Sequence, residues 1–203
     1  ADRILTILSD TEGKITAKAR GALRKSSRTG AATQQLTWSD LTLFGNRGKW
    51  QVNEGSVIEG FDGLRADIAK LALGSYFSEC LDAFAPEEEP EPALLQLGLN
   101  SLYALSRDLC DPMQIKAAFE LRLMCLAGFA PQLEGCVSCG KEPEEALFSL
   151  SGGVVHCRGC LPGTGGVSVP LAGETLEAMR YVTEAPPRRI LAFTLSPGAR
   201  RQL

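Results

Sequence analysis

The spacing of apolar residues divides the chain in two. Up to about residue 60 the pattern is that of strands. Arg3-Ile-Leu-Thr-Ile-Leu8 is rich in apolar and β-branched residues, and Asp10-Thr-Glu-Gly13 supplies turn chemistry after it. From Lys14 to Arg20 the alternation is clean: Ile15, Ala17 and Ala19 face one way, and Lys14, Thr16, Lys18 and Arg20 the other. Three cations therefore line one side of this strand. Trp38 to Phe44 and Lys49 to Asn53 predict two further strands, joined by the hairpin-like Gly45-Asn46-Arg47-Gly48. Trp50 shares a face with Val52 and is expected in the core. Trp38 and Phe44 fall on the more polar side with Asp40 and Thr42, where base stacking and burial beneath a helix are both open. Gly21 to Gly30 holds little that is apolar and reads as a mobile basic loop.

At Phe61 the period becomes helical. Leu64, Ile68, Leu71, Phe77, Cys80, Leu81 and Phe84 recur mostly at three- and four-residue steps and predict one helix ending near Ala85-Pro86. The acidic, proline-marked run Glu87 to Pro92 reads as a solvated linker. Leu95, Leu99, Leu102, Leu105 and Leu109 predict a second helix. Asp111-Pro112 caps a third, Met113 to Leu126, which is apolar on most sides and is expected to be central. Ala146 to Val155 predicts a small hairpin, Gly173 to Val182 and Ile190 to Phe193 predict helices, and Ser196-Pro197 caps a last one.

Two Cys-x-x-Cys pairs, Cys136/Cys139 and Cys157/Cys160, flank that hairpin with the 17 residues from Gly140 to His156 between them. This spacing brings four thiolates to one tetrahedral cation and leaves no position for water, so one structural Zn2+ per chain is expected. His156, the only histidine, is expected to support the site from outside the ligand set. Cys80, Cys110 and Cys125 lie in apolar helical patterns and read as buried free thiols.

Charge is unevenly distributed along the chain. The net value of -3 combines +3 over residues 1–60 with -6 over residues 61–203. Between Lys14 and Lys49 stand eight basic residues (Lys14, Lys18, Arg20, Arg24, Lys25, Arg28, Arg47 and Lys49) against one acid, Asp40. Such a patch suits phosphates. Short antiparallel strands with a basic face point to a small OB-type barrel, and because that barrel has about five strands, the missing one is expected upstream of Ala1. Hydrophobic residues at 44% and charged residues at 22% are ordinary globular usage, with no spanning apolar run and no signal-peptide pattern, so a cytoplasmic protein is expected.

The stretch Ala118-Phe-Glu-Leu-Arg-Leu-Met-Cys-Leu-Ala-Gly-Phe-Ala-Pro-Gln-Leu-Glu-Gly-Cys-Val-Ser-Cys-Gly140 closely resembles the signature running from the central helix into the zinc module of the bacterial recombination mediators of the RecO family. Ala1-Asp-Arg-Ile-Leu-Thr, Gly13-Lys-Ile-Thr-Ala, and the run from Phe61-Asp-Gly-Leu-Arg to Pro86-Glu-Glu-Glu-Pro fit the same family. The resemblance implies an α+β protein: an OB-fold DNA-binding domain over 1–60 whose first strand lies upstream, then a helical domain over 61–203 with its zinc module at 132–163. It also implies binding of single- and double-stranded DNA, annealing of complementary strands, and loading of RecA, with RecR, onto DNA coated by single-strand-binding protein (SSB). Binding of the SSB C-terminal tail and a place at the nucleoid follow as well. On this reading the DNA contacts fall on the eight basic residues named above, which track a backbone without reading bases.

Two other classes compete. A zinc-ribbon interaction module of a transcription or translation factor would bind nucleic acid or protein through the ribbon, yet Cys136 to Cys160 carries only Lys141 and Arg158 against Glu142, Glu144 and Glu145. An enzyme is not expected. The chain has no phosphate-binding Gly-x-x-x-x-Gly-Lys-Ser/Thr loop, no His-Glu-x-x-His and no Gly-x-Ser-x-Gly elbow.

Overall fold

The structure is a computed structural model that describes residues 1–45, 49–160 and 166–202. It is a mixed α+β fold in two compact units, Ala1–Leu109 and Cys110–Leu203.

In the first unit, strands β1 (Arg3–Ser9) and β2 (Gly13–Ala19) form an antiparallel hairpin, with Arg3 opposite Ala19 and Ser9 opposite Gly13. Strand β3 (Trp38–Phe44) pairs antiparallel with β4 (Trp50–Glu59), which runs six residues past the expected end at Asn53. The sheet order is β1-β2-β4-β3. Its middle joint is a short parallel contact, Ala17 with Trp50 and Lys18 with Gln51. The sheet is open, not a closed barrel, among the described residues. One face packs Ala17, Ala19, Ala22 and Val52 with Leu5, Ile7, Leu41, Leu43 and Trp50. Trp50 is thus packed against the core, as its phase predicts, though only half-buried.

The segment after β2 differs from the expected mobile loop. Within the expected loop, Gly21 to Gly30, Ala22 and Thr29 are buried and Arg3 Nη1 donates to Gly30 O (2.9 Å); just beyond it Ala32, Thr33 and Leu36 are buried and Thr33 Oγ1 lies 3.3 Å from Arg3 Nη1. Its small side chains tuck beneath the sheet end while its cations stay outside, so composition alone conceals the packing.

Three helices complete this unit. The expected long helix is broken into α1 (Asp62–Arg65) and α2 (Ile68–Phe84) because Asp67, in extended conformation, caps α2 by accepting from Ala69 N and Lys70 N. Helix α3 (Pro92–Ser106) buries Leu94, Leu97, Leu102 and Leu105, one register step from the Leu95/Leu99 stripe. It approaches α2 closely: a Cβ at Gly98 would lie 2.6 Å from Leu81 Cδ1. The linker before α3 is not wholly solvated. Glu88 N donates to Lys14 O (3.0 Å), and the Glu89 backbone leaves no room for a side chain at Gly13, whose φ is 70°.

In the second unit α4 (Pro112–Leu126) starts at the Asp111 cap and buries Gln114, Ile115, Ala118, Phe119 and Leu123, while Met113, Met124 and Leu126 stay exposed. It is one-sided where the sequence reads as apolar nearly all round. Strands β5 (Ala146–Ser149) and β6 (Val154–Cys157) form the expected hairpin, and β7 (Ser168–Leu171) adds a third strand in the order β6-β5-β7. β7 is missed in sequence because Pro170 interrupts its short run. Helix α5 (Gly173–Glu184) lays Leu176 and Met179 on a core with Leu133, Ala146, Val155 and Leu171. Ile190 to Phe193 is not helical; a 3-10 turn, Pro187–Arg189, precedes it, and α6 (Pro197–Arg200) follows the Ser196 cap. No described helix is long and apolar enough to cross a membrane.

Candidate metal centre and nucleic-acid interface

The first cysteine pair lies on the loop from α4 towards β5, and the second sits at the end of β6 and in the turn after it. Each pair closes on itself: Gly140 N donates to Cys136 O (2.8 Å), and Cys160 N to Cys157 O (3.0 Å). Gly140, at φ 72°, supplies the left-handed residue that turns the first knuckle back. Val137 N then donates to Val155 O (2.9 Å) and fastens that knuckle to β6. The four sulfurs consequently all lie within 4.8 Å of one another, with Cys139 and Cys157 3.9 Å apart. A tetrahedral metal bound by thiolates at about 2.3 Å spaces its sulfurs about 3.8 Å apart, so the donor set fits a thiolate-preferring ion.

Cys136 is the buried member, and its thiol is pulled down to about 6, first by the backbone N–H of Cys157 and then by those of Cys139 and Ser138. Cys157 moves the opposite way, to about 12, because burial and bonds to the Cys136 and Cys139 sulfurs penalise its thiolate. Cys160 is raised by the same two neighbours. Four adjacent thiols cannot all ionise without a cation to absorb the charge, and a cation there converts this repulsion into ligation.

His156 is 3% exposed and lies outside the cluster of four sulfurs. Its Nδ1 sits 3.0 Å from Cys157 O and 2.8 Å from Cys160 O, and its Nε2 2.9 Å from Ser168 Oγ. Carbonyls only accept, so the Nδ1 proton is shared between them, and the ring pins the second knuckle to β7. The ribbon offers few free cations: Arg158 pairs with Glu145 (2.9 Å), while Glu142 takes Arg180 (2.9 Å).

The eight predicted basic residues do not form one uniform surface. Lys14 turns inward, donating to Asp82 O (2.7 Å) and pairing with Glu87 (3.2 Å) and Asp82 (3.5 Å). Hydrogen bonding to Glu87 is the first cause that raises its pKa. These partners lie about 70 residues away and no local pattern marks them. Lys18 pairs with Asp2 (3.0 Å), both side chains being nearly half exposed. Arg20, Arg24, Lys25, Arg28 and Lys49 are exposed and have no ion pair among the described residues. Arg47 lies outside the described residues. A groove of about 300 Å³ opens over the β2–β4 joint, lined by Ile4, Thr16, Ala17, Lys18, Lys49, Trp50 and Gln51. Sequence reasoning passed over Ile4, although its alternation with Leu5 already places the two on opposite faces. Trp38 and Phe44 are exposed, 42% and 77%, and so are not buried as one of the two readings had it.

An α+β chain with a cationic sheet unit and a four-cysteine centre in a second unit is thereby defined. It belongs to the recombination protein O family: the family's N-terminal model matches residues 1–61 and its C-terminal model residues 65–203. Similar proteins include the DNA repair protein RecO of Acetivibrio thermocellus, 34% identical over all of this chain and 81% of that protein. That of Symbiobacterium thermophilum is also 34% identical, over 97% and 79%, and that of Desulforudis audaxviator 38% identical, over 79% and 64%. The family's role is in DNA repair and recombination.

Proposed function

We propose that this chain is a non-catalytic, DNA-binding recombination mediator that binds single- and double-stranded DNA, anneals complementary strands and, with RecR, helps load RecA onto SSB-coated single strands. The observation that carries the reading is the run of exposed cations Arg20, Arg24, Lys25 and Arg28, without an ion pair among the described residues, together with Lys18 and Lys49 on the same unit. Their density suits a phosphate backbone and needs no base-specific geometry. Lys14, already held by two carboxylates, contributes least, and Arg47 stays with the set on sequence grounds.

The domain division at residues 60/61 is part of the same proposal, as is an OB-type barrel for the sheet. Two antiparallel pairs joined by a parallel β2–β4 contact suit the wall of a Greek-key barrel. The four cysteines hold one structural Zn2+, supported by their spacing and by His156, whose two ring nitrogens bond the Cys160 carbonyl and the Ser168 hydroxyl and so hold the second knuckle in place. Once bound, the ion supplies cross-linking and no reaction step. The SSB tail is a further partner, and the site of action is the cytoplasmic nucleoid. Annealing of SSB-coated complementary oligonucleotides tests the mediator reading. Acceleration by the full chain is expected, and DNA binding without acceleration would leave a DNA binder that is no mediator.

A further inference from the structure

The pairing register of the first unit sets four residues in one row across all four strands. Ile4 lies opposite Lys18, Lys18 beside Gln51, and Gln51 opposite Phe44. Their chain neighbours Leu5, Ala17, Val52 and Leu43 form the core on the other face, so this row points outward. At about 4.8 Å between strands, Ile4 and Phe44 stand about 14 Å apart with a cation and an amide between them. Thr16 and Lys49, each two residues along from a row member, share the face and line the groove with Ile4, Lys18 and Gln51, while Phe44 stands outside that lining at the end of the row.

The two ends of the row are the unusual feature. Phe44 is 77% exposed and Ile4 70% exposed. An outward phenyl ring on an edge strand is a hazard for association unless something covers it. The cover must also satisfy Lys18 and Lys49, and among the described residues no carboxylate lines the groove between them. The acids nearest in sequence and pairing are Asp2, which holds Lys18 through a solvent-exposed pair at 3.0 Å, and the exposed Glu54, three residues from Gln51 on β4 and opposite Thr42; Asp40 stands four residues from Phe44 on β3. An exposed pair of that kind exchanges readily for a phosphate.

We propose that this outward row is a nucleobase platform for single-stranded DNA: Phe44 stacks a base, Ile4 flanks a second, and Lys18 and Lys49 hold the phosphates between them. This deepens the DNA-binding reading above and rests on it. A single strand presents unstacked rings next to phosphates, which is what a ring and a cation this close together require. A duplex keeps its bases paired and stacked, and offers the row only phosphates.

The test uses the full chain and three labelled probes of equal length: an oligothymidylate, an abasic strand with the same phosphates, and a duplex. Phe44→Ala is expected to weaken binding of the oligothymidylate about fivefold or more. Binding of the abasic strand and the duplex is expected to stay within about twofold. Phe44→Tyr, which keeps a ring, is expected to bind like the wild type. Because Phe44 lies outside the core, the circular dichroism spectrum should not change. An equal loss on all three probes, or no loss on any, would overturn the platform while leaving backbone binding intact. If the wild type binds none of the probes, the DNA-binding reading falls too.

Discussion

Replacing Arg24, Lys25 and Arg28 together by Ala removes three exposed cations from the segment after β2, none of them ion-paired among the described residues. The buried Ala22, Ala32 and Thr33 that anchor the segment are untouched, so its packing should survive. Each phosphate neutralised on a single strand contributes about 0.7 to the slope of log affinity against log salt. Three lost contacts lower the slope by about 2. Between 50 and 200 mM salt the wild type should therefore lose about 20-fold more affinity than the variant. Fluorescence anisotropy of a labelled oligothymidylate across that series measures both slopes. Lys14→Ala is the internal contrast, because Lys14 already spends its charge on Asp82 and Glu87, and its slope should match the wild type. An unchanged slope in the triple variant, or an equal drop in Lys14→Ala, would refute the assignment of phosphate contacts to exposed cations over inward ones.

Elemental analysis should find about one zinc per chain, lost when Cys136 and Cys139 become Ser. His156→Phe orphans the carbonyls of Cys157 and Cys160 and should weaken zinc about 10- to 100-fold in chelator competition; unchanged affinity would remove His156 from the site's support. The Phe61 N–H, first, and Arg107 hold the Glu59 carboxyl below its ordinary 4.5. A depressed carboxylate stabilises the fold above its unfolded pKa, and that contribution is lost as pH falls through the folded value. Glu59→Gln should therefore be the less stable protein in urea at pH 7, with the gap closing below about pH 4.5; a gap unchanged with pH would count against the linkage. Phe119→Ala, at a fully buried ring of α4, should cost about 3–5 kcal/mol in chemical denaturation, and a loss under 1 kcal/mol would show that the site collapses to fill the space.

The four-cysteine centre was legible in sequence because both knuckles are local: two ligands sit three residues apart, and a hairpin of near-adjacent strands joins the pairs. The alternation of β2 and the switch of period at Phe61 were legible for the same reason, since each depends on neighbours a few residues away. Asp67 capping a new helix was a local signal too, overlooked because the apolar stripe runs through it. What tertiary structure alone decided is which cations remain available. Lys14 and Arg20 alternate onto the same side of β2 and look equivalent in sequence. Glu87 and Asp82, returning from α2 and the linker after it, neutralise Lys14 and leave Arg20 in solvent. Likewise, only the strand order β1-β2-β4-β3 brings Ile4, Lys18, Gln51 and Phe44 into one row. Charge and period are properties of a segment, whereas free charge and shared faces depend on long-range pairing that no local pattern encodes.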